Sequence, residues 1–309
     1  MKRFITRTTL LILLPVLLGV ALCEYFLRKI PNDYSYKNEW LTNNACSVKI
    51  LFIGGSHTFF GIEPECFSES AFNAAHVSQS LKYNYFIFSK FIDSMDSLNV
   101  FVLDISYSSM VSCGPENGTE DWRARYYSIY YGCKYHKFVP KYNLEIYYGL
   151  HLEDVANSIL RKANHRTCND LGRGITDKYQ SMDWEESGAI AAKRHTVIPV
   201  DSTIFAKNKA MIEEMINICS QKNVYMIILT TPTYHTYREN ISPEQYKLMV
   251  DCCNYYEQQN DNVLFLNLFA DDRFQADDFY DADHLNEFGA VKLSKMLQKA
   301  IDSLNLCKR

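Results

Sequence analysis

Five short apolar runs, separated by stretches of helical periodicity, constrain this chain more than any other feature. They are Val48 to Ile53, Phe72 to Ala75, Val100 to Ile105, Val224 to Thr230 and Val263 to Leu268. Each is a mostly apolar run rather than an alternating one, which is the pattern of a strand buried on both faces. Between or after them, Met211, Ile212, Met215, Ile216 and Cys219 share one helical face, as do Tyr246, Met249, Val250 and Cys253. Leu293, Met296, Leu297, Ala300, Ile301 and Leu304 do the same near the C-terminus. Ser242 and Pro243 supply an N-cap followed by proline at the first helical position. Strands alternating with helices predict an α/β fold with a parallel sheet covered on both faces. A long interval, about residues 107–205, interrupts the rhythm with a Tyr-rich stretch, a helical pattern near Leu144 to Ala163 and a polar segment from Asn164 to Gly188. It reads as an insertion on the strand-end side, where folds of this kind form ligand crevices, with a separate second domain as the alternative.

The N-terminus carries a different signal. Lys2, Arg3 and Arg7 precede an apolar stretch from Thr8 to Phe26 in which only Glu24 is charged. Its length of roughly 19 residues is what a bilayer core asks for. Leu22 stands before Cys23 where a lipoprotein would have a small residue, so residues 8–27 are expected to be an uncleaved transmembrane signal anchor. The positive charge puts residues 1–7 in the cytoplasm and the rest outside it, in the periplasm if the cell is Gram-negative. Residues 28–47, polar and aperiodic, read as a linker to a domain spanning 48–309.

A net charge of −4 without a basic cluster beyond residue 30 gives no case for nucleic acid. The 22 tyrosines are read first as core and interface filler, and second as a surface on which sugar faces could stack. None of the 10 cysteines has metal-ligand spacing, so no metal or other cofactor is expected. Cys113 and Cys133 bracket a loop and form the best candidate bridge, while Cys253 falls on an apolar stripe as a small core residue.

Chemistry concentrates at two places. In "ILFIGGSHTFFGIEP" the first strand ends at Gly54 and Gly55 and hands Ser56 to the following turn. A serine there sits at the carboxyl end of a parallel sheet, near backbone N–H groups that suit an anion or a developing oxyanion. Helix cap, phosphate holder and nucleophile all remain open for Ser56. The adjacent His57 is poorly placed as its base, because neighbouring side chains on a turn diverge. In "FYDADHLNEFGAVKLSKML", Asp281 and His284 lie three apart before a helix that Asn286 can cap. On a turn this spacing lets a carboxylate orient one ring nitrogen while the other faces a serine. Asp278 and Asp283 are alternative orienters.

Gly-Gly-Ser after the first strand, an Asn-led segment after the second and Asp-x-x-His before the last helix together resemble the SGNH (GDSL-like) hydrolases, over about residues 48 to 304. The resemblance implies a doubly wound αβα sandwich on a parallel, flavodoxin-like sheet, with Ser56 as nucleophile and His284 and Asp281 completing the triad. It also marks two departures. Ser78 in "FNAAHVSQSL" stands where the family has an oxyanion-hole glycine, and "VFVLDISYSSM" lacks the family's asparagine, leaving Ser106 or Tyr107 as substitutes. The expected oxyanion and substrate groups are therefore Gly55, Ser78, Ser106 and Tyr107. By the same resemblance the chain is expected to be an esterase or O-acyltransferase, acting on acylated carbohydrate of the cell envelope or a small ester, with a membrane acyl-donor protein as partner. The alternative is a carbohydrate-binding protein of envelope assembly that keeps the fold without efficient chemistry.

Overall fold

The computed structural model describes residues 2–115, 120–134, 138–149, 151–176 and 184–304. They form two compact units, one of Met1–Asn38 with Thr119–Arg166 and one of Glu39–Gly118 with Thr167–Arg309. The strands are β1 (Ile50–Ile53), β2 (Ala71–Asn73), β3 (Val100–Asp104), β4 (Tyr225–Thr230) and β5 (Val263–Asn267). The helices are α1 (Lys2–Leu27), α2 (Asp33–Asn44), α3 (Ser56–Gly61), α4 (Leu81–Phe91), α5 (Ala124–Ile129), α6 (Pro140–Asn143), α7 (Leu152–Ile159), α8 (Trp184–His195), α9 (Ser202–Gln221), α10 (His235–Arg238), α11 (Pro243–Gln259) and α12 (Glu287–Ser303).

The second unit is built on a five-stranded sheet in the order β2-β1-β3-β4-β5, with every pairing parallel. Register explains why the strands read as continuous apolar runs. Ile50, Phe52, Val100, Val102, Ile227 and Leu229 line one face and pack with Leu293, Leu297 and Ile301 of α12. The intervening residues face the other side, where Phe101 meets Phe88 of α4 at 4.5 Å between ring centroids and Thr230 meets Met249 of α11. Helices on both faces leave no solvent-facing positions on β1 and β3, so polar alternation has no place there. The sheet is doubly wound, as the sequence predicts. Its order reverses between β1 and β3, which opens a crevice at their carboxyl ends.

Three expectations need correction. Residues 28–47 are not an unstructured linker, because α2 and the 3₁₀ turn Ala45–Ser47 occupy most of them. Asn32 caps α2, its Oδ1 accepting from Tyr34 N and Ser35 N at 3.0 Å each. The helix is secured by Leu41, which is fully buried, and by Trp40, stacked on Phe72 at 3.8 Å. The helix expected near Leu144 to Ala163 is broken at Gly149, whose φ of 129° no helix accommodates, leaving only a 3₁₀ turn and the short α7. Cys113 is a free thiol, so the bridge to Cys133 is not made. Cys253 is buried as expected, and burial pushes its thiol pKa up.

The Tyr-rich stretch builds the interior of the first unit. Tyr127 and Tyr131 are buried, and Tyr34 lies between Tyr126 and Tyr127 at 4.8 and 5.1 Å. Arg125 spans Tyr126 and Tyr148 and pairs with Glu145 at 3.0 Å. Among the described residues no helix is long and apolar enough to cross a membrane. The backbone of α1 is described from Lys2, but several side chains before Leu11 lie outside the described set. From Leu11 to Leu22 its apolar side chains are exposed, Leu11 by 75% and Leu14 by 67%.

Candidate active site

The corner after β1 is shaped by its glycines. A Cβ on Gly54 would lie 2.5 Å from Asp104 Cβ and 2.7 Å from Thr58 Oγ1, so only glycine lets β1 leave the sheet this close to β3. Gly54→Ala is expected to cost about 2 kcal/mol through overpacking and to shift Ser56. Urea denaturation of wild type and variant would measure the loss. Gly55 is the N-cap of α3 in extended conformation, and a Cβ there would sit 3.7 Å from Gln79 O, an ordinary contact. Ser56 is thus the first residue of α3, at the carboxyl edge of the sheet beside the switch point.

His284 arrives from the loop before α12. Asp281 Oδ1 accepts from the backbone N–H of Asp283 at 3.0 Å and of His284 at 2.7 Å, a local turn that locks the carboxylate against the ring. Both Asp281 oxygens lie 2.9 Å from His284 Nδ1. The other ring nitrogen, Nε2, is 2.7 Å from Ser56 Oγ. In the neutral ring the carboxylate keeps the proton on Nδ1, and Nε2 accepts from the serine hydroxyl. Asn286 anchors the loop from behind. Its Oδ1 accepts from Phe288 N and Gly289 N, and its Nδ2 donates to Asp277 O and Phe279 O. A Cβ on Gly289 would come within 2.1 Å of Asp278 O, so the start of α12 also needs glycine to close on this loop.

The alternative orienters separate clearly. Asp278 is spent on Gln275 N at 2.9 Å and Lys292 Nζ at 2.7 Å. Asp283 is buried beside the site, with Oδ1 3.5 Å from His284 Nδ1 and Oδ2 3.6 Å from His57 Nε2 and 3.8 Å from His195 Nδ1. Those separations are too long for hydrogen bonds, and Oδ2 has no hydrogen-bond partner. His57 lies nearly parallel to His284 with centroids 5.0 Å apart, a buried wall rather than a base for Ser56. His195 Nδ1 is 2.9 Å from the Tyr237 hydroxyl.

Charge follows this packing. Burial alone would lower the pKa of His284, but the Asp283 and Asp281 carboxylates outweigh it and raise it to about 9. Asp283 moves the opposite way: burial would raise it, and His284, His57 and His195 together hold it well below the usual carboxylate range. Burial pushes His195 down to about 4. Asp104, at the end of β3, is raised by burial despite His57 and the Gly55 N–H nearby. His57, Asp283 and His284 each offer a ligand atom within 4.8 Å of the others and could hold a metal ion, although both His284 nitrogens already face Asp281 and Ser56.

The expected oxyanion groups divide. Ser78 adopts φ of 56°, the left-handed region that glycine enters without strain, which gives a physical reason for glycine at such a position. Ser106 lines a water-sized cavity of about 10 Å³ with His57, Thr230, Thr231 and Thr233, and its Oγ is 2.9 Å from Ser109 Oγ. Tyr107 is not available: its buried hydroxyl is 2.8 Å from Thr196 Oγ1 and accepts from Ser242 N at 2.9 Å. Asp283, expected as an alternative orienter, stands beside the site between His284 and His195, and His195 is the neighbour that nothing local in the sequence marks.

Fold and geometry together define a doubly wound α/β protein with a Ser-His-Asp arrangement at the carboxyl edge of its sheet. No protein-family model and no curated protein matches the chain. Among solved structures it is similar to a protein described as an acylhydrolase from Bacteroides fragilis, at 13% identity and a TM-score of 0.43, over 86% of this chain and 95% of that one. A GDSL-like lipase from Bacteroides thetaiotaomicron is similar at 10% identity and 0.43, over 88% and 100%. A Streptococcus protein described as a platelet activating factor is similar at 12% and 0.44, over 96% and 99%. Likenesses of this size do not bear on activity.

Proposed function

We propose that this chain is a serine-dependent ester hydrolase or O-acyltransferase of the SGNH type. The observation that carries the reading is the 2.7 Å approach of Ser56 Oγ to a His284 whose other nitrogen is held by Asp281. Ser56 Oγ attacks the ester carbonyl while His284 Nε2 takes its proton. The tetrahedral intermediate collapses, and the same proton passes from the imidazolium to the departing alcohol, leaving an acyl-serine. Water, or a sugar hydroxyl in the transferase version, then gives its proton to His284 Nε2 and attacks the acyl carbon, and on collapse that proton passes to the departing Ser56 Oγ. Backbone N–H groups at Ser56 and Ser78 hold the oxyanion.

The substrate class we favour is a small acyl ester, acetyl above all, on envelope or extracellular carbohydrate, with a membrane protein supplying an activated acyl group if the reaction is transfer. Localisation is read the same way: α1 anchors the chain and the second unit lies outside the cytoplasm. Lys2, Arg3 and Arg7 ahead of the apolar run, and the exposed leucines of α1, support that reading.

One observation favours the alternative of a weakly active or inactive binding protein. The third expected oxyanion donor is missing, since the Tyr107 hydroxyl is engaged elsewhere and Ser106 is paired with Ser109. Losing one such donor costs about 10² to 10³ in rate. Labelling with a fluorophosphonate probe separates the two. Wild type should be labelled, Ser56→Ala not at all, and His284→Ala far more slowly. Label retained in Ser56→Ala would remove the nucleophile assignment, and an unlabelled wild type would favour the binding protein.

A further inference from the structure

The first unit contains a hollow of about 510 Å³ between the C-terminal ends of α1 and α7, within the range of small-ligand sites. Tyr25, Phe26, Pro31 and Ile159 give it an apolar wall, and Lys29 and Arg161 bring cations to it. The Ser158 hydroxyl, also at the wall, is spent on Phe26 O at 2.7 Å. Neither cation has an acidic partner among the described residues. Of the acids on these two helices, Glu24 pairs with Arg28 at 2.6 Å, Asp154 faces His165 at 3.7 Å and Glu153 is exposed. Lys29 instead lies over the Tyr25 ring at 5.3 Å.

The surroundings are apolar and bare. Val155 turns inward against Leu27 and Ile30. Leu152 and Ile159, two turns apart on α7, are 65% and 56% exposed, Leu160 is 61% exposed, and Tyr25 on α1 is 54% exposed. These side chains continue the exposed apolar surface that α1 presents from Leu11 to Leu22. A tyrosine and a lysine at the end of an apolar helix, beside a short helix with exposed leucine and isoleucine, make the pattern of a surface that meets lipid at headgroup depth.

We propose that this hollow is a binding site for the phosphate-bearing headgroup of an anionic phospholipid, with Lys29 and Arg161 facing the phosphate and Tyr25, Phe26 and Ile159 against the glycerol and upper acyl carbons. A free phosphate would use the two cations and leave the apolar wall wet, whereas a phospholipid uses both. A neutral zwitterionic lipid would satisfy the wall and leave uncompensated positive charge. The site rests on the reading that α1 enters the bilayer, and the test separates the two.

Full-length protein would be mixed with phosphatidylcholine vesicles and floated, and in parallel examined by native mass spectrometry from neutral detergent with phosphatidylglycerol, phosphatidylcholine or inorganic phosphate. The expected result is flotation of both wild type and K29Q/R161Q, and a single phosphatidylglycerol retained by wild type in preference to phosphatidylcholine. Retention should fall ~30-fold in K29Q/R161Q, from two lost charge contacts, with circular dichroism unchanged. Ile159→Ser should weaken retention while leaving the preference for the anionic lipid. Equal retention of the two lipids, unchanged retention in K29Q/R161Q, or displacement by an equal concentration of inorganic phosphate would each overturn the headgroup site alone. Failure of wild type to float would overturn the membrane reading and the site with it.

Discussion

Replacing Ser56 with alanine is expected to lower kcat on an aryl acetate by about 10⁴- to 10⁶-fold, with KM close to that of wild type. The size follows from geometry. Ser56 Oγ is the hydroxyl held 2.7 Å from His284 Nε2, and alanine removes the attacking atom without touching the residues that shape the corner. His57 cannot take over, because its ring is stacked beside His284 and directed to Asp283. Steady-state kinetics on wild type, Ser56→Ala and the double variant with His284→Ala would check it. The double variant should be scarcely slower than Ser56→Ala, since a base without its nucleophile has little left to do. A drop of less than tenfold in Ser56→Ala would mean that another group performs the reaction.

Asp283→Asn is expected to move the acid limb of the pH–rate profile down and to raise activity at pH 7. In the proposed mechanism the base form of His284 takes the proton, and Asp283 and Asp281 raise its pKa to about 9 against the opposing effect of burial. At pH 7 the resting imidazole is therefore mostly protonated. Asparagine keeps the size of Asp283 and removes one negative charge, so the limb should shift toward the ordinary histidine value near 6.5 and the rate at pH 7 should rise about tenfold. Asp281→Asn should instead slow the reaction at every pH, because it disturbs the proton on Nδ1. A profile unchanged in Asp283→Asn would show that this carboxylate does not act on His284.

The same pair ties stability to pH in a defined direction. A histidine raised above its unfolded value stabilises the fold fully below about 6.5, and that contribution fades as pH rises through about 9. Asp283, depressed in the fold, contributes above the ordinary carboxylate range near 3.9 and loses its contribution as pH falls below it. Because the two groups act on each other, these are one interaction seen from both ends.

Much of the fold was legible because local pattern and tertiary role coincide. The five apolar runs match β1 to β5 to within about two residues at each end, since strands sandwiched between helix layers have no polar face to interrupt them. α9, α11 and α12 were readable from stripes that meet the sheet. α2 was not: the partner of Trp40 is Phe72, which is remote in sequence, and its buried face, Tyr34, Lys37 and Leu41, includes a lysine and so does not read as an apolar stripe. The intervals around α7 and α8 are hard to read for a similar reason: Val155 of α7 packs on Leu27 and Ile30, and Ala191 and Ala192 of α8 pack with Tyr237 and Phe269, partners remote in sequence.

By itself the sequence determined the sheet, the helix that closes it and the three residues that meet at its edge. Asp281 and His284 are joined by turn hydrogen bonds acting over a few residues, so their local conformations are written where they stand. Tertiary structure alone decided the charge that His284 carries. Asp283 acts on it from inside a pocket shared with His57 and His195, residues far apart in the chain, and the strength of that interaction comes from the exclusion of water. It also withdrew the Tyr107 hydroxyl from the oxyanion by giving it Thr196 and Ser242 N as partners. Burial and long-range pairing are properties of the packed chain, and no window of sequence contains them.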